Sequence, residues 1–427
     1  MRPARRGDAG GVRARPGARR RERPPRRPRR GIRRPSPRRA RPDRPHCAAR
    51  RRQGHGRAVL VARGRPTLPR PRGVAPRGAR GASVNGPIRI LHAIRSDGFA
   101  GVEQFVLRLA LAQAADGHDV AVVGGAAERM RPALAGAGVE HVPAARTIEV
   151  LRAVRRRAAG IDVVNTHMTA ADVGAVFGLA GRRQRPAVVS TRHFAQPRGR
   201  LGPVPIDALV GGRIDAEVSI SAAVAASVDR PSTVVHTGVD ARPLGDGRPR
   251  DRTVLIAQRL EPEKHTHVGV RAFAASGLAA DGWTLEVAGD GSELGALQAL
   301  VGELGLDGVV RFSGFRSDLP AVMDRAAILI APCPVEGLGL TVLEAMAGGL
   351  PVIAAEAGGH VELLEGLDER TLFAPDDADD AGRRLRGLAD DEPGRADLGA
   401  AERAHQQQAF SIRAQADGTE AVYRGVL

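Results

Sequence analysis

Cysteine is scarce in this sequence of 427 residues, with only Cys47 and Cys333 present. Two cysteines cannot build the disulfide framework of a small secreted protein, and no Cys/His spacing indicates a zinc site. Long apolar runs are also missing, since no stretch approaches the ~18 residues of a membrane span. We therefore expect a cytoplasmic protein, with any membrane contact peripheral at the inner face of the membrane.

Lysine is almost absent as well. Lys264 is the only one in the chain, against 64 arginines. A single surviving lysine indicates a position where a compact ammonium is needed and a planar guanidinium does not fit, although chance survival explains it equally well.

Positive charge is concentrated at the N-terminus. Residues 1–83 contain 29 arginines and three acidic residues, so the overall charge of +18 describes this segment and not the remainder, whose net charge is −8. The segment consists largely of Arg, Pro, Gly and Ala, with too few apolar side chains for a core. We expect residues 1–83 to form a disordered tail.

Three interpretations of this tail are open. It could bind nucleic acid or an anionic membrane by neutralising phosphates, but it has no aromatic residue to stack on bases. It could be a targeting segment, although serine is nearly absent. We favour the third interpretation, in which residues 1–83 are not normally translated and Val84 is an alternative start codon. Nucleic acid is not an expected partner.

Beyond the tail, apolar strands alternate with glycine loops and amphipathic helices. Residues 89–94 are a predicted strand, 97–101 a glycine loop, and Val102 begins a helix that leads to the strand 120–123. This is a βαβ unit, and its repetition predicts an α/β fold. The segment 242–252, rich in Pro, Gly, Arg and Asp, predicts a linker between two domains.

Polar residues end two further strands in the first half. His167 ends the predicted strand 162–167, and Arg192 and His193 end the strand 188–193. Ligands gather at the carboxyl ends of strands in open α/β sheets. His167 is therefore a candidate site residue, and Arg192 and His193 are candidates for lining a cleft.

The most informative stretch is APCPVEGLGLTVLEAMAGGLPVIAA, residues 331–355. A strand, a glycine turn, a helix and a second strand follow one another. The first N–H groups of a helix have no partner within the helix, and where a glycine precedes the helix they are accessible to a phosphate. Carboxylates beside them accept hydrogen bonds from sugar hydroxyls. The stretch predicts a nucleotide-sugar site, whose candidate residues are Glu336, Gly339, Leu340, Thr341 and Glu344.

This block resembles the signature of the family-four retaining glycosyltransferases of the GT-B fold, in the spacing of Glu336 and Glu344 and in the tail EAMAGGLPVIA. The resemblance covers about residues 87–427. It implies two Rossmann-like domains facing across a cleft, an acceptor domain at 84–245 and a donor domain at 246–405. Residues 406–427 would form a helix that crosses back to the first domain.

The resemblance also implies roles for the charged residues. Arg259 and Lys264 match the family block Arg-Leu-x-x-Glu-Lys, whose Arg and Lys clamp the donor diphosphate; here Gln258 and His265 replace the usual glycines. Glu336 would hold the sugar. Glu344 would contact the ribose, and Gly101 would contact the donor phosphate. His167 would contact the donor sugar and the acceptor, and Arg316 would contact the nucleobase.

The implied activity is retaining transfer of a hexose from a nucleoside-diphosphate sugar, UDP- or GDP-linked, to a hydroxyl of a glycan, lipid or small molecule. No cofactor and no metal are expected. A GT-B-fold phosphorylase or a sugar-nucleotide epimerase is the first alternative, and a nucleic-acid-binding protein acting through the tail is the second. The arginine-rich helix at 151–160 could contact anionic lipid, but a solvated helix is the commoner explanation.

Overall fold

The computed structural model describes residues 86–244 and 249–427. The expectations for residues 1–83, namely disorder, nucleic-acid or membrane binding and an alternative start codon, lie outside the described residues.

The first half of the described chain is built around a parallel sheet. The strands of this half of the chain are β1 (Arg89–Ile94), β2 (Asp119–Val123), β3 (Glu140–Val142), β4 (Val163–His167), β5 (Ala187–Arg192), β6 (Arg200–Leu201), β7 (Val204–Pro205), β8 (Ala216–Ser219) and β9 (Thr233–Val234). Its helices are α1 (Gly101–Ala115), α2 (Ala127–Gly136), α3 (Thr147–Arg157), α4 (Thr169–Gly178), α5 (Ile206–Val210) and α6 (Ala222–Ala225). The sheet order is β3-β2-β1-β4-β5-β8-β9, and β6 and β7 form a separate antiparallel hairpin.

The second half repeats this architecture. Its strands are β10 (Thr253–Ala257), β11 (Thr284–Ala288), β12 (Val310–Gly314), β13 (Ile328–Ala331), β14 (Val352–Ala355) and β15 (Leu372–Phe373). Its helices are α7 (Thr266–Ser276), α8 (Leu294–Glu303), α9 (Leu319–Arg325), α10 (Leu340–Ala347), α11 (Gly359–Leu364), α12 (Ala378–Asp390), α13 (Glu392–Ala409) and α14 (Ile412–Val426). The parallel order β12-β11-β10-β13-β14-β15 is that of a Rossmann sheet, whose ligand crevice lies where the order reverses, between β10 and β13.

Helices cover the sheets, so the central strands are almost fully buried: β4 and β14 at every residue, and β10 at every residue but Thr253. The predicted α/β class with two Rossmann-like domains is confirmed. We propose the domain limits 84–245 and 246–405, because each range holds one of the two large sheets. Within the described ranges, the helices are all too short or too polar to cross a bilayer.

The C-terminal region differs from the single helix predicted over 406–427. The chain breaks between α13 and α14, because the Ser411 side chain accepts a hydrogen bond from Ala414 N and so caps α14. At the same break, Val239 N donates to Phe410 O over 3.0 Å. Helix α14 then packs on the first sheet, where the buried Tyr423 hydroxyl donates to Asn165 Oδ1 over 2.8 Å.

Candidate functional site

A cleft of about 430 Å³ opens at the carboxyl ends of β10, β11 and β13, the edge at which the order of the second sheet reverses. The loop before α1, in the first half of the chain, lines one side of this cleft. Nine of the ten predicted site residues line this cleft: Gly101, Arg259, Lys264, Arg316, Glu336, Gly339, Leu340, Thr341 and Glu344.

A close ion pair lies inside the cleft. Lys264 ends a 3-10 turn after β10, Glu336 follows β13, and Lys264 Nζ donates to Glu336 Oε2 over 2.6 Å. Burial acts to lower the pKa of Lys264, but the attraction of Glu336 outweighs it and the pKa is raised. Burial likewise acts to raise the pKa of Glu336, and Lys264 outweighs it, so that pKa is lowered. Both side chains therefore stay charged at neutral pH.

The start of α10 faces the same cleft. Gly339 precedes the helix with φ +110°, a backbone conformation that L side chains rarely adopt. Among the described side chains none caps this start, so the first N–H groups, those of Leu340 and Thr341, have no partner within the helix. Such groups, with the partial positive charge of the helix end, favour an anion.

A glycine pair holds the loop that carries Glu336. A Cβ on Gly358 would lie 2.3 Å from Glu336 O, and one on Gly359 would lie 2.2 Å from Leu338 Cα, so only glycine permits this approach. The contact also brings His360 to the cleft lining. Burial lowers the pKa of His360 and keeps its ring neutral. From the sequence we expect the turn 357–360 either to approach the sugar or merely to connect two elements, with no role assigned to His360 itself.

Glu344 is contacted from the first half of the chain. Arg108, on α1, donates through Nη2 to Glu344 Oε1 over 2.5 Å. Nothing local in the sequence marks Arg108, because the two residues are 236 positions apart.

The two predicted arginines of the cleft have partners close by in sequence. Arg259 Nη2 donates to Glu263 Oε1 over 2.8 Å, and the side chain of Arg259 is 61% exposed. Arg316 pairs with Asp318 at 2.7 Å. The exposed pair of Arg259 and Glu263 contributes little free energy, so this guanidinium can exchange its partner for a ligand at small cost.

The structure does not place His167, the tenth predicted site residue, among the residues that line this cleft. Its ring is fully buried between two others: His167 Nε2 lies 3.1 Å from His92 Nδ1, and His167 Nδ1 lies 3.1 Å from His193 Nε2. His92 Nε2 lies 2.7 Å from Gln113 Oε1 and ends the row. Burial lowers the pKa of His92 to about 4 and that of His193 to about 3, so the rings of this histidine row are neutral.

Arg192 and His193 also depart from the prediction that they line a cleft. Neither is among the described side chains that line it. The Arg192 guanidinium is buried and donates to Gln196 O over 2.9 Å. Only the main chain of His193 approaches the site, since a Cβ on Gly337 would lie 2.7 Å from its carbonyl oxygen.

Comparison with known families gives matches in both halves of the chain. Residues 99–242 match the family model described as Glycosyltransferase Family 4, and residues 246–405 match the one described as Glycosyl transferases group 1.

Individual proteins are similar as well. The lipopolysaccharide core biosynthesis mannosyltransferase LpsB of Rhizobium meliloti (strain 1021) is 30% identical over 234 residues, 50% of this chain and 67% of LpsB. LpcC of Rhizobium leguminosarum bv. viciae, of the same description, is 25% identical over 68% of this chain and 82% of its own. The structure of Anabaena Alr3699/HepE in complex with UDP is similar in fold, with a TM-score of 0.66 at 20% identity, over 79% of this chain and 100% of HepE. The chain therefore belongs to glycosyltransferase family 4, in agreement with its resemblance to that family in sequence.

Proposed function

We propose that this glycosyltransferase moves a hexose from a nucleoside-diphosphate sugar to an acceptor hydroxyl, with retention of configuration and without a metal ion. The observation that carries the proposal is the charged pair of Lys264 and Glu336, 2.6 Å apart in a cleft beside the uncapped start of α10. This combination offers cationic and N–H donors to a diphosphate and a carboxylate to a sugar.

The donor diphosphate would lie against Lys264 and the start of α10. Negative charge grows on the leaving diphosphate as the glycosidic bond breaks, so fixed positive groups stabilise the transition state more than the bound substrate. Lys264 is held in place by burial and by its ion pair. Arg259 is exposed and would join the diphosphate by leaving Glu263. These groups would supply the charge that a metal ion provides in other transferases.

The two glutamates would hold the sugars of the donor. Glu336 would accept hydrogen bonds from the hexose and favour positive charge at its anomeric carbon. Glu344 would accept hydrogen bonds from the ribose hydroxyls, which requires that its carboxylate exchange the Arg108 contact for the ligand. For retention, the departing phosphate would take the proton of the acceptor hydroxyl on the face from which it leaves.

The other residues of the cleft would contribute less. Gly101 would bring backbone close to the phosphate, and Arg316 would contact the nucleobase, since both line the cleft. We leave His167 out of the proposed site because its ring is fully buried.

Relatives support UDP and GDP as the first nucleotides to test. The HepE structures contain UDP or UDP-glucose, and one further relative, from Mycobacterium tuberculosis, is described as GDP-mannose-dependent. We further propose a cytoplasmic location with peripheral membrane contact at most. Exposed arginines on α3 support such a contact, and flotation with anionic vesicles would test it.

A donor screen tests the proposal. One UDP- or GDP-sugar is expected to raise the melting temperature, and release of its nucleoside diphosphate should require an acceptor and persist in a chelator. A product epimerised without acceptor would favour the epimerase, and release driven by inorganic phosphate would favour the phosphorylase. If no sugar nucleotide binds, the proposed function is wrong.

A further inference from the structure

Three residues other than glycine have a positive φ in the described part of the chain: Met168, His265 and Asp376, at +69°, +48° and +63°. L side chains rarely adopt this backbone conformation, and they keep it only where their surroundings hold it. Two of the three hold each other: His265 Nδ1 donates to Asp376 Oδ1 over 2.5 Å, across 111 positions of sequence.

His265 lies directly after Lys264, at a reversal of the chain. It ends the 3-10 turn Pro262–Lys264 and precedes the first residue of α7. Its left-handed backbone therefore determines how the Lys264 main chain leaves the turn, and with it the direction of the ammonium towards Glu336.

A second contact fixes the same turn from the other side. Gln258 Nε2 donates to Lys264 O and to Thr266 Oγ1, each over 2.9 Å. These bonds hold the residues on either side of His265 but make no contact with its ring. Among the described residues, the hydrogen bond that His265 makes through its ring is the one to Asp376.

Asp376 itself stands apart from the cleft. It lies on the loop between β15 and α12, its side chain is 60% exposed, and it is not among the cleft-lining residues. Any effect that Asp376 has on transfer must therefore pass through another residue.

We propose that Asp376 is a positioning residue for Lys264: by binding the His265 ring it holds the left-handed turn that directs the ammonium into the cleft. The inference rests on the proposed function, since it assumes that Lys264 acts on the donor diphosphate. In place of a glycine that would adopt the turn without strain, this chain uses a histidine held by a distant carboxylate.

The test is a double-mutant cycle with a structural readout. Asp376→Ala is expected to lower kcat by about three- to ten-fold, the effect of losing one hydrogen bond that holds the turn. It should also speed amide hydrogen exchange of residues 263–266, with the melting temperature unchanged. Asp376→Asn, which keeps an oxygen acceptor, should restore most of the rate. Asp379→Ala, an exposed acid of the neighbouring helix start, is the control and should leave rate and exchange unchanged.

A His265→Gly protein, to which Asp376→Ala is then added, shows whether Asp376 acts through the His265 turn or in another way. Glycine adopts the left-handed turn unaided, so adding Asp376→Ala to His265→Gly should change neither kcat nor exchange further. The inference is overturned if Asp376→Ala has its full effect in the glycine background, or if it changes neither rate nor exchange in the natural chain. Should the natural chain turn over no sugar nucleotide, the proposed function fails, and the exchange measurement alone decides the positioning role.

Discussion

Two polar clusters lie at the carboxyl ends of strands in the two sheets, and they behave in opposite ways. The pair of Lys264 and Glu336 opens into the cleft and stays charged because each partner offsets the burial of the other. Among the described residues none of opposite charge contacts the row of His92, His167 and His193, so burial leaves it neutral. A polar residue at a strand end is therefore a candidate only; its surroundings decide whether it serves a ligand.

The largest effect on transfer is expected when the ion pair of Lys264 and Glu336 is broken. Lys264→Ala should lower kcat by roughly 10²–10³, about 3–4 kcal/mol, because one strong donor to the leaving diphosphate is lost. Steady-state kinetics with the identified donor would measure it. Lys264→Arg should not restore the rate if a compact ammonium is required. Near-normal turnover in Lys264→Ala would remove this lysine from the mechanism.

The substitution His167→Gln tests whether the buried histidine row takes part in transfer. A folded His167→Gln protein, checked by circular dichroism, should keep its donor affinity and most of its kcat, because the ring does not reach the cleft. A loss as large as that of Lys264→Ala would mean that the buried row takes part in transfer, and the contrast between the clusters would fail.

The histidine row should also destabilise the protein in acid. Its folded pKa values lie below the ordinary 6.5, so the unfolded chain binds more protons and stability falls as pH decreases through about 6.5 towards 4. Each histidine contributes at most about 1.4 kcal/mol per pH unit. Denaturant unfolding between pH 7 and 5 would show the slope, which His92→Gln should reduce. An unchanged slope would contradict the assignment of neutral, buried rings.

Glu344→Ala should mainly weaken donor binding, by about tenfold, because a charged acceptor for the ribose is lost. Calorimetric titration with the donor or its nucleoside diphosphate would measure it. An unchanged Kd would contradict the ribose assignment.

An effect of the opposite sign is expected at the partner of Glu344. Arg108→Ala should tighten donor binding by about two- to fivefold, because the partly exposed ion pair no longer competes for Glu344. Weaker binding would show that Arg108 contacts the donor itself and does not compete with it. Glu344→Ala and Arg108→Ala together should resemble Glu344→Ala alone.

Much of the fold and of the cleft could be predicted because the signals are local. The strand 89–94 and the order of strand, turn, helix and strand over 331–355 follow from apolar runs separated by glycine. The break at Ser411 was missed although serine is a common N-cap residue; main-chain pairing with Val239 holds the chain at this point. Arg108 was missed because helix α1, 236 positions away in sequence, brings it to Glu344.

The amino-acid sequence by itself determined the alternation of strands and helices and the spacing that puts Glu336 before a helix and Glu344 within it. It also shows that Lys264 is the only lysine of the chain. Only the tertiary structure decided which polar side chains share a cavity: Lys264 meets Glu336 across 72 positions, whereas His167 faces other histidines. The physical reason is that side-chain periodicity fixes which residues share a face of a strand or helix. Whether that face is covered or open depends on segments that arrive from elsewhere in the chain.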